Sequence, residues 1–498
     1  MELTFSKTAC QCLRKPVHQV LTQEQTQEVR LTDAMPDIGR ILGCWGQVLI
    51  RSKEWRGNAM AVSGGVMAWV LYAPEDGSAP VSMESWIPFQ MRWDFPQTDR
   101  DCIMQITPLL RSIDARSTSA RKLMLRANVS VLGEAYEPVD PEAWLPENAP
   151  VDLQILKSSY PMELPKEAGE KQFQVDEELN LPDTYPDVEK LIRYSLQPKI
   201  LEQKVMAGRL VFRGKGDLRL VYMGTDGQIH SWECEVPFSQ YAELDRDYGV
   251  NSSAIITPVL TNLELQSEGK RLLLKCGICA QYVIFDREMV QIAEDAYSPV
   301  RQVKLETQML KIHQRLDQRK ETMRTQQQLN APVDRIVDVC WLPDHPQYRQ
   351  NGDQTQIAVT GQFQVLYYDP AGALQSGTMR SEETWNIASD PQNTLDAYVQ
   401  TGSCPTADLS DQGALLSAQW DVVADVVSEQ GLPMLTQITL GDQCEKDPNR
   451  PSLILRKAGQ QRLWDIAREC GATVDAIVEA NHLQQEPEAG QILLIPVS

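Results

Sequence analysis

Leu31-Thr32-Asp33-Ala34-Met35-Pro36-Asp37-Ile38 is answered 150 residues later by Leu181-Pro182-Asp183-Thr184-Tyr185-Pro186-Asp187-Val188. The agreement spreads outward at nearly the same offset. Leu71-Tyr72 falls on Val221-Tyr222, Asp76-Gly77 on Asp226-Gly227, and Thr107-Pro108-Leu109 on Thr257-Pro258-Val259. Ile87-Pro88-Phe89 matches Val236-Pro237-Phe238 after a one-residue slip, and Arg121-Lys122-Leu123 falls on Arg271-Leu272-Leu273. A weaker third copy keeps Leu329-Asn330-Ala331-Pro332, then Leu366-Tyr367 and Ala371-Gly372. The period is a domain length, so it indicates tandem domains rather than a solenoid of repeats about 20–50 residues long.

Each copy reads locally in the same way. Pro36-Asp37-Ile38-Gly39-Arg40-Ile41-Leu42 has the signs of a short helix start. Proline suits the first helical position, aspartate complements the positive helix N-terminus, and Ile38, Ile41 and Leu42 recur at helical spacing. Pro186-Asp187-Val188 with Leu191-Ile192 repeats the pattern. Beyond it, Gly65 to Tyr72 and Trp86 to Phe89 flank Asp76-Gly77, a hairpin signal, as do Gly216 to Tyr222 and Trp232 to Phe238 around Asp226-Gly227. Lys122 to Val131 and Arg271 to Ile284 read as further strands.

The expected fold is therefore α+β and predominantly β: tandem antiparallel modules, each with a short helix. Their expected bounds are 1–140, 151–293 and a divergent 303–441. Val303 to Gln328, polar and glutamine-rich, fits either a helix or a strand-and-loop entry to the third copy. Linkers are expected at Glu137 to Glu142, Glu294 to Arg301 and Asp442 to Pro451.

The chain has 498 residues and a formal net charge of -21. So acidic a surface is repelled by phosphate backbones and anionic lipid, which disfavours nucleic-acid and membrane-surface binding. Met1-Glu2-Leu3-Thr4-Phe5 lacks a basic segment followed by an apolar one. The longest uncharged apolar stretch, Ala59 to Tyr72, falls short of the ~20 residues that span a bilayer. The expectation is a soluble cytosolic protein without membrane insertion. Eleven scattered cysteines do not make a disulfide framework.

Residues 452–498 stand apart. Leu453-Ile454-Leu455 is a strand, Leu463 to Cys470 a helix closed by Gly471, Thr473 the cap of a second helix, and Ile492 to Pro496 a closing strand. This βααβ order, with Gly459, Leu463-Trp464-Asp465-Ile466-Ala467, Ala480-Asn481-His482-Leu483 and Gly490 to Pro496, resembles a LysM domain. In LysM domains, chains containing N-acetylglucosamine lie between the first strand-helix loop and the second helix-strand loop, here Ala458 to Arg462 and His482 to Ala489. The resemblance makes Gly459, Gln460, Gln461, Arg462, Trp464, Asn481, His482 and Leu483 the candidate ligand or partner surface. Gly459-Gln460-Gln461-Arg462 replaces the usual Gly-Asp-Thr, and Glu486 and Glu488 sit in the second loop.

A LysM-like domain behind β-rich repeats that open on Pro-Asp-(Ile/Val) resembles the SPOCS-LysM architecture of SipL-type spore coat morphogenetic proteins. The resemblance implies a mother-cell protein at the forespore surface. It would help assemble the coat and dock to the coat-basement ATPase or another coat protein through its LysM domain. The alternative it leaves open is a peptidoglycan-binding or other N-acetylglucosamine-binding protein.

Signals for chemistry are weak. Cys276-Gly277-Ile278-Cys279 is a single C-x-x-C with no second pair to complete a zinc site. Cys10-Gln11-Cys12 is weaker still. His18, His230, His313, His345 and His482 are isolated in sequence, and Asp344-His345-Pro346 reads as a turn. No nucleophile elbow, phosphate loop or dinucleotide fingerprint is present. Trp69, Trp86, Trp232, Trp385 and Trp464 fit core packing better than sugar stacking. No catalytic residue, metal or cofactor is expected, and the protein is read as a non-enzyme.

Overall fold

The computed structural model describes residues 2–56, 59–94, 102–402, 404–410, 413–429, 431–444 and 451–497. The first stretch contains β1 (Phe5–Ala9), β2 (Cys12–Arg30), β3 (Ile38–Arg56), β4 (Ala59–Pro74), β5 (Val81–Asp94), β6 (Ile103–Ser119), β7 (Lys122–Val139) and β8 (Glu142–Pro146). Two three-stranded antiparallel sheets form, in the orders β2-β7-β6 and β3-β4-β5. Their facing sides bury Val62, Val66, Ala68, Ile87, Phe89, Leu125, Ala127 and Val129. Buried positions largely alternate along β5, as a strand with one wet face requires.

Next come β9 (Gln154–Asn180), β10 (Val188–Met206), β11 (Arg209–Gly224), β12 (Ile229–Glu243), β13 (Ser253–Glu268) and β14 (Arg271–Tyr297). They pair as β9-β14-β13 and β10-β11-β12, the same order. The third stretch holds β15 (Arg301–Lys311), β16 (Gln314–Leu329), β17 (Arg335–Pro343), β18 (Gln347–Asn351), β19 (Gln354–Tyr368), β20 (Leu374–Ala388), β21 (Thr394–Thr401), β22 (Thr406–Ser410), β23 (Gly413–Ser428) and β24 (Gly431–Gln443). It gives β16-β23-β21 and β17-β19-β20, with β18 and β22 added alongside. The Val303–Gln328 alternative resolves as two strands, β15 and most of β16.

In each unit the first and last segments also pair beyond the sandwich, as a two-stranded ribbon. These are β1 with β8, the start of β9 with the end of β14, and β15 with β24. The stretches 137–142 and 294–301, expected as linkers, largely belong to these strands. Residues 445–450 of the last expected linker lie outside the described residues.

Equivalent residues of the three units converge. Leu71, Val221 and Leu366 hold the same ladder position, opposite Gly43, Arg193 and Asp338. Beside them Leu42, Ile192 and Val337 are each the extra residue of a β-bulge. All six sit in one buried cluster. At the other end the ribbons bring together Cys10 and Cys12, Met162 and Leu164, and Leu310 and Ile312. Like positions meeting at two places define an approximate threefold axis through the molecule.

The short helix expected at Pro36 to Leu42, and again at Pro186 to Ile192, is absent; a turn leads straight into β3 and β10. A helix would keep its N–H groups for carbonyls four residues back. Here Ile38 N–H goes to Ala120 O, and Asp37 O accepts from Glu75 N–H. Tyr72 donates its hydroxyl to Pro36 O at 3.0 Å, and Tyr222 does the same to Pro186 O at 3.2 Å. Arg121 clamps the turn through Asp37 Oδ1 (2.6 Å) and Thr32 O (2.8 Å). Bulges between Ile38 and Arg40 and between Ile41 and Gly43 stretch the strand period and imitate helical spacing. The hairpin turns agree closely across the units: Gly77, Gly227 and Gly372 have φ of 76°, 75° and 77°. That left-handed conformation suits glycine.

The C-terminal module follows the expected order: β25 (Leu453–Lys457), α1 (Leu463–Cys470), α2 (Val474–Asn481) and β26 (Ile492–Pro496). Gly471 ends α1 in the left-handed region, and Thr473 Oγ1 accepts from Ala476 N–H at 3.2 Å. These are the two helices among the described residues, and neither is long and apolar enough to cross a membrane.

Candidate functional site

The C-terminal module is anchored by one face of α1. Trp464 is buried; its Nε1–H donates to Asp295 Oδ2 at 2.9 Å, and its ring meets Tyr297 edge-on at 4.8 Å. Arg468 reaches the same carboxylate oxygen at 2.6 Å, and Tyr297 donates its hydroxyl to Ala472 O at 2.9 Å. Asp295 and Tyr297 end β14, so the module rests on the ribbon of the second unit.

The eight expected surface residues therefore divide. Gly459, Gln460, Gln461, Arg462 and His482 are exposed around the two loops. Gln461 is tied back, accepting from Arg456 and donating to Glu469. Asn481 holds β26 through Leu494 N–H and O, a structural use of its amide. Leu483 is half-buried in the module core. Between the loops, Glu486 Oε2 accepts the Leu463 N–H at 2.8 Å. Arg462, the residue before α1, supplies no side-chain cap, so a carboxylate from the second loop takes that role. Asp295 and the capping use of Glu486 were not read from sequence. Their partners are distant, and no spacing rule marks them.

A second assembly of polar groups is shared by the three units. A cavity of about 200 Å³ is lined by all three units, including Gln105, Glu134, Ile255, Val283, Asp396 and Asp425. These six are ladder equivalents: Gln105 faces Glu134, Ile255 faces Val283, and Asp396 faces Asp425. The apolar pair belongs to the second unit and the acids to the other two. Lys15 Nζ lies 2.7 Å from Glu134 Oε1 and 2.7 Å from Asp396 Oδ2. His18 Nδ1 stands 3.0 Å from Glu134, and its Nε2 3.6 Å from Asp396. Burial opposes ionisation of Glu134, yet Lys15 and His18 hold its carboxyl down at about 2. Arg315 pairs with Glu163 at 2.9 Å and lies 3.7 Å from Asp425. Burial raises the Asp425 carboxyl, with Arg315 opposing.

The cysteine pairs are placed otherwise. Cys276 and Cys279 are both buried in β14, three residues apart and so on opposite faces. Burial pushes their thiols up to about 11 and about 12. No disulfide joins any of the cysteines among the described residues. In Asp344-His345-Pro346, expected as a turn, His345 is buried between β17 and β18, and burial lowers its imidazole to about 4.

These features describe a β-rich, multi-unit protein with an appended βααβ module. The chain carries a match to the family model described as SipL, SPOCS domain over residues 187–265, and a match to the LysM domain over residues 462–496. That is the domain pairing of the SipL-type SPOCS-LysM family. The first match runs from the Pro186-Asp187 turn through β10 to β13, within the second unit. No curated protein and no solved structure matches the chain. The matched families point to a sporulation protein with a module of the peptidoglycan-binding type, and neither is an enzyme family.

Proposed function

We propose that the protein is a non-enzymatic scaffold for spore coat assembly at the forespore surface, working in the mother-cell cytoplasm. Residues 1–140, 151–293 and 303–441 are then three SPOCS-like repeats, and 452–498 is a docking module for the coat-basement ATPase or another coat protein. The observation that carries this reading is the Glu486–Leu463 cap. It sets a carboxylate between the loops where a glycan would lie, beside a first loop whose hydroxyl is replaced. With α1 fixed to the second unit, the exposed residues Gln460, Arg462 and His482 are held outward on a rigid support. Polar side chains on a fixed base suit a protein contact.

The glycan reading keeps one support, the LysM match itself. Two assays on the full-length chain separate the readings: pull-down with the purified coat ATPase, and co-sedimentation with purified murein. Capture of the ATPase that Arg462→Glu weakens, with no murein pelleting, is the expected result. Murein pelleting that Gln460→Ala and Arg462→Glu abolish, with no ATPase capture, would replace the scaffold by a wall-binding protein.

A further inference from the structure

We infer that the first unit carries a groove for an extended, uncharged segment of a partner protein, which inserts an aromatic side chain beside Gln23. The groove has a volume of about 760 Å³ and is bounded by Gln23 and Gln25 of β2 and by Trp86, Phe89 and Gln90 of β5. It lies outside the C-terminal module and does not depend on what that module binds.

The three units differ at this place. Six residues before Val29, Leu179 and Leu329, the equivalent ladder pairs are Gln23–Val129, Phe173–Ile278 and Met323–Trp420. In the second unit the Phe173 ring reaches across the sandwich, to 5.3 Å from Phe238 and 6.2 Å from Phe212. In the third, Met323 packs against the core. Phe89 is the counterpart of Phe238, since the two face Gly64 and Gly214 on the neighbouring strands. Two positions further along β2, Gln25 stands where the second unit buries Val175. The edge that the other units close with their own apolar side chain is lined in the first by carboxamides. Phe173 shows which side chain such a space accepts.

The carboxamides supply an independent reason. Gln23 Oε1 is buried and has no hydrogen-bond partner among the described residues. A buried carbonyl oxygen without a donor is costly, and the N–H of an incoming peptide satisfies it. Among the described strands β2 pairs with β7 alone and β5 with β4 alone. Pro88 takes a donor away from β5, which leaves β2 as the edge that a partner strand extends. Charge sets the class of segment. The lining carries one cation, Arg51, and one anion, Glu84, in a chain of formal net charge -21. A groove without net charge selects an uncharged segment, whereas basic peptides are drawn to the acidic surface at large.

The test is selection of random heptapeptides displayed on phage against the full-length chain at high salt. Enriched sequences should carry a central aromatic residue and no net charge, and as synthetic peptides they should bind, by calorimetry, with an affinity that salt leaves unchanged. Gln23→Phe gives the first unit the plug of the second; it should raise the melting temperature and weaken binding by about tenfold or more. Gln25→Val, a smaller change in the same direction, serves if Gln23→Phe does not fold. Gln90→Ala should weaken binding with the melting temperature unchanged, and Arg462→Glu should alter neither. Absence of enrichment, basic peptides whose binding salt removes, or unaltered binding in both folded β2 variants would overturn the proposal. Displacement of the peptides by chitotetraose would overturn it in favour of a glycan site.

Discussion

At the axis Leu42, Ile192 and Val337 meet as near equals, but one residue further on the three units part company. There the equivalents are Gly43, Arg193 and Asp338. A side chain at Gly43 would run into the Trp45 ring, with its nearest atom at 2.2 Å. Arg193 lies over that ring, 5.4 Å from its centroid, and pairs with Asp338. Arg219 adds a second guanidinium 3.4 Å from the same carboxylate. The bulge position could exchange between units at little cost. The next position could not, because each unit presents a different group: a space, a cation and an anion. An apolar contact holds the ring together, and the charged one fixes which unit stands beside which.

The sharpest way to break that comparison is Asp338→Ala. It leaves the Arg193 guanidinium buried at 5% exposure without its partner. The expected loss is about 3–5 kcal/mol, read as a shift in the urea midpoint. The double change Arg193→Met with Asp338→Leu should recover most of it. Failure to recover would mean that the pair supplies net stability as well as order.

The seams between units differ in a second way. Between the first and second units, Gln281 closes on both backbone groups of Ile106, at 3.0 and 2.7 Å, and Gln105 donates to Tyr282 O at 2.7 Å. These amides do not titrate. Between the first and third units stand Arg111–Asp344, at 2.6 Å, and buried His345. Burial holds the folded imidazole at about 4, below its ordinary 6.5. The unfolded chain therefore takes up a proton first as pH falls. Stability is full above pH 6.5 and declines as pH drops towards 4, by about 3 kcal/mol. His345→Asn should flatten this part of the stability profile, even if it is less stable at pH 7. An unchanged slope would show that the carboxylates alone govern acid sensitivity.

Much of this was legible in sequence because the repeated residues are turn residues. Asp-Gly and Pro-Asp recur in register since each fixes a backbone position locally, and Tyr72 and Tyr222 recur because each bonds the carbonyl of that entry proline. The C-terminal module was legible for the same reason, from its helix caps and terminal strands. The helix at Pro36 was misread because a turn that enters a bulged strand uses the same proline, aspartate and apolar spacing. Its deciding partners, Ala120 and Glu75, lie outside any local window. The polar cluster shared by the three units was invisible for that reason too. His18 meets Glu134 across 116 residues, and no i+3 or i+4 rule reaches so far.

The smallest expected effect compares the entry turns themselves. Tyr72→Phe removes one hydroxyl from Pro36 O while keeping the buried ring, so it should cost about 1 kcal/mol. Tyr222→Phe should cost a similar amount at Pro186. Unequal losses, measured in the same urea series, would show that one unit leans on this bond more than the other. Equal ones would mean that a conserved geometry carries a conserved energy. In either case the loss should appear in the midpoint with an unchanged slope, because the hydroxyl ties a turn to its own sheet and exposes little new surface.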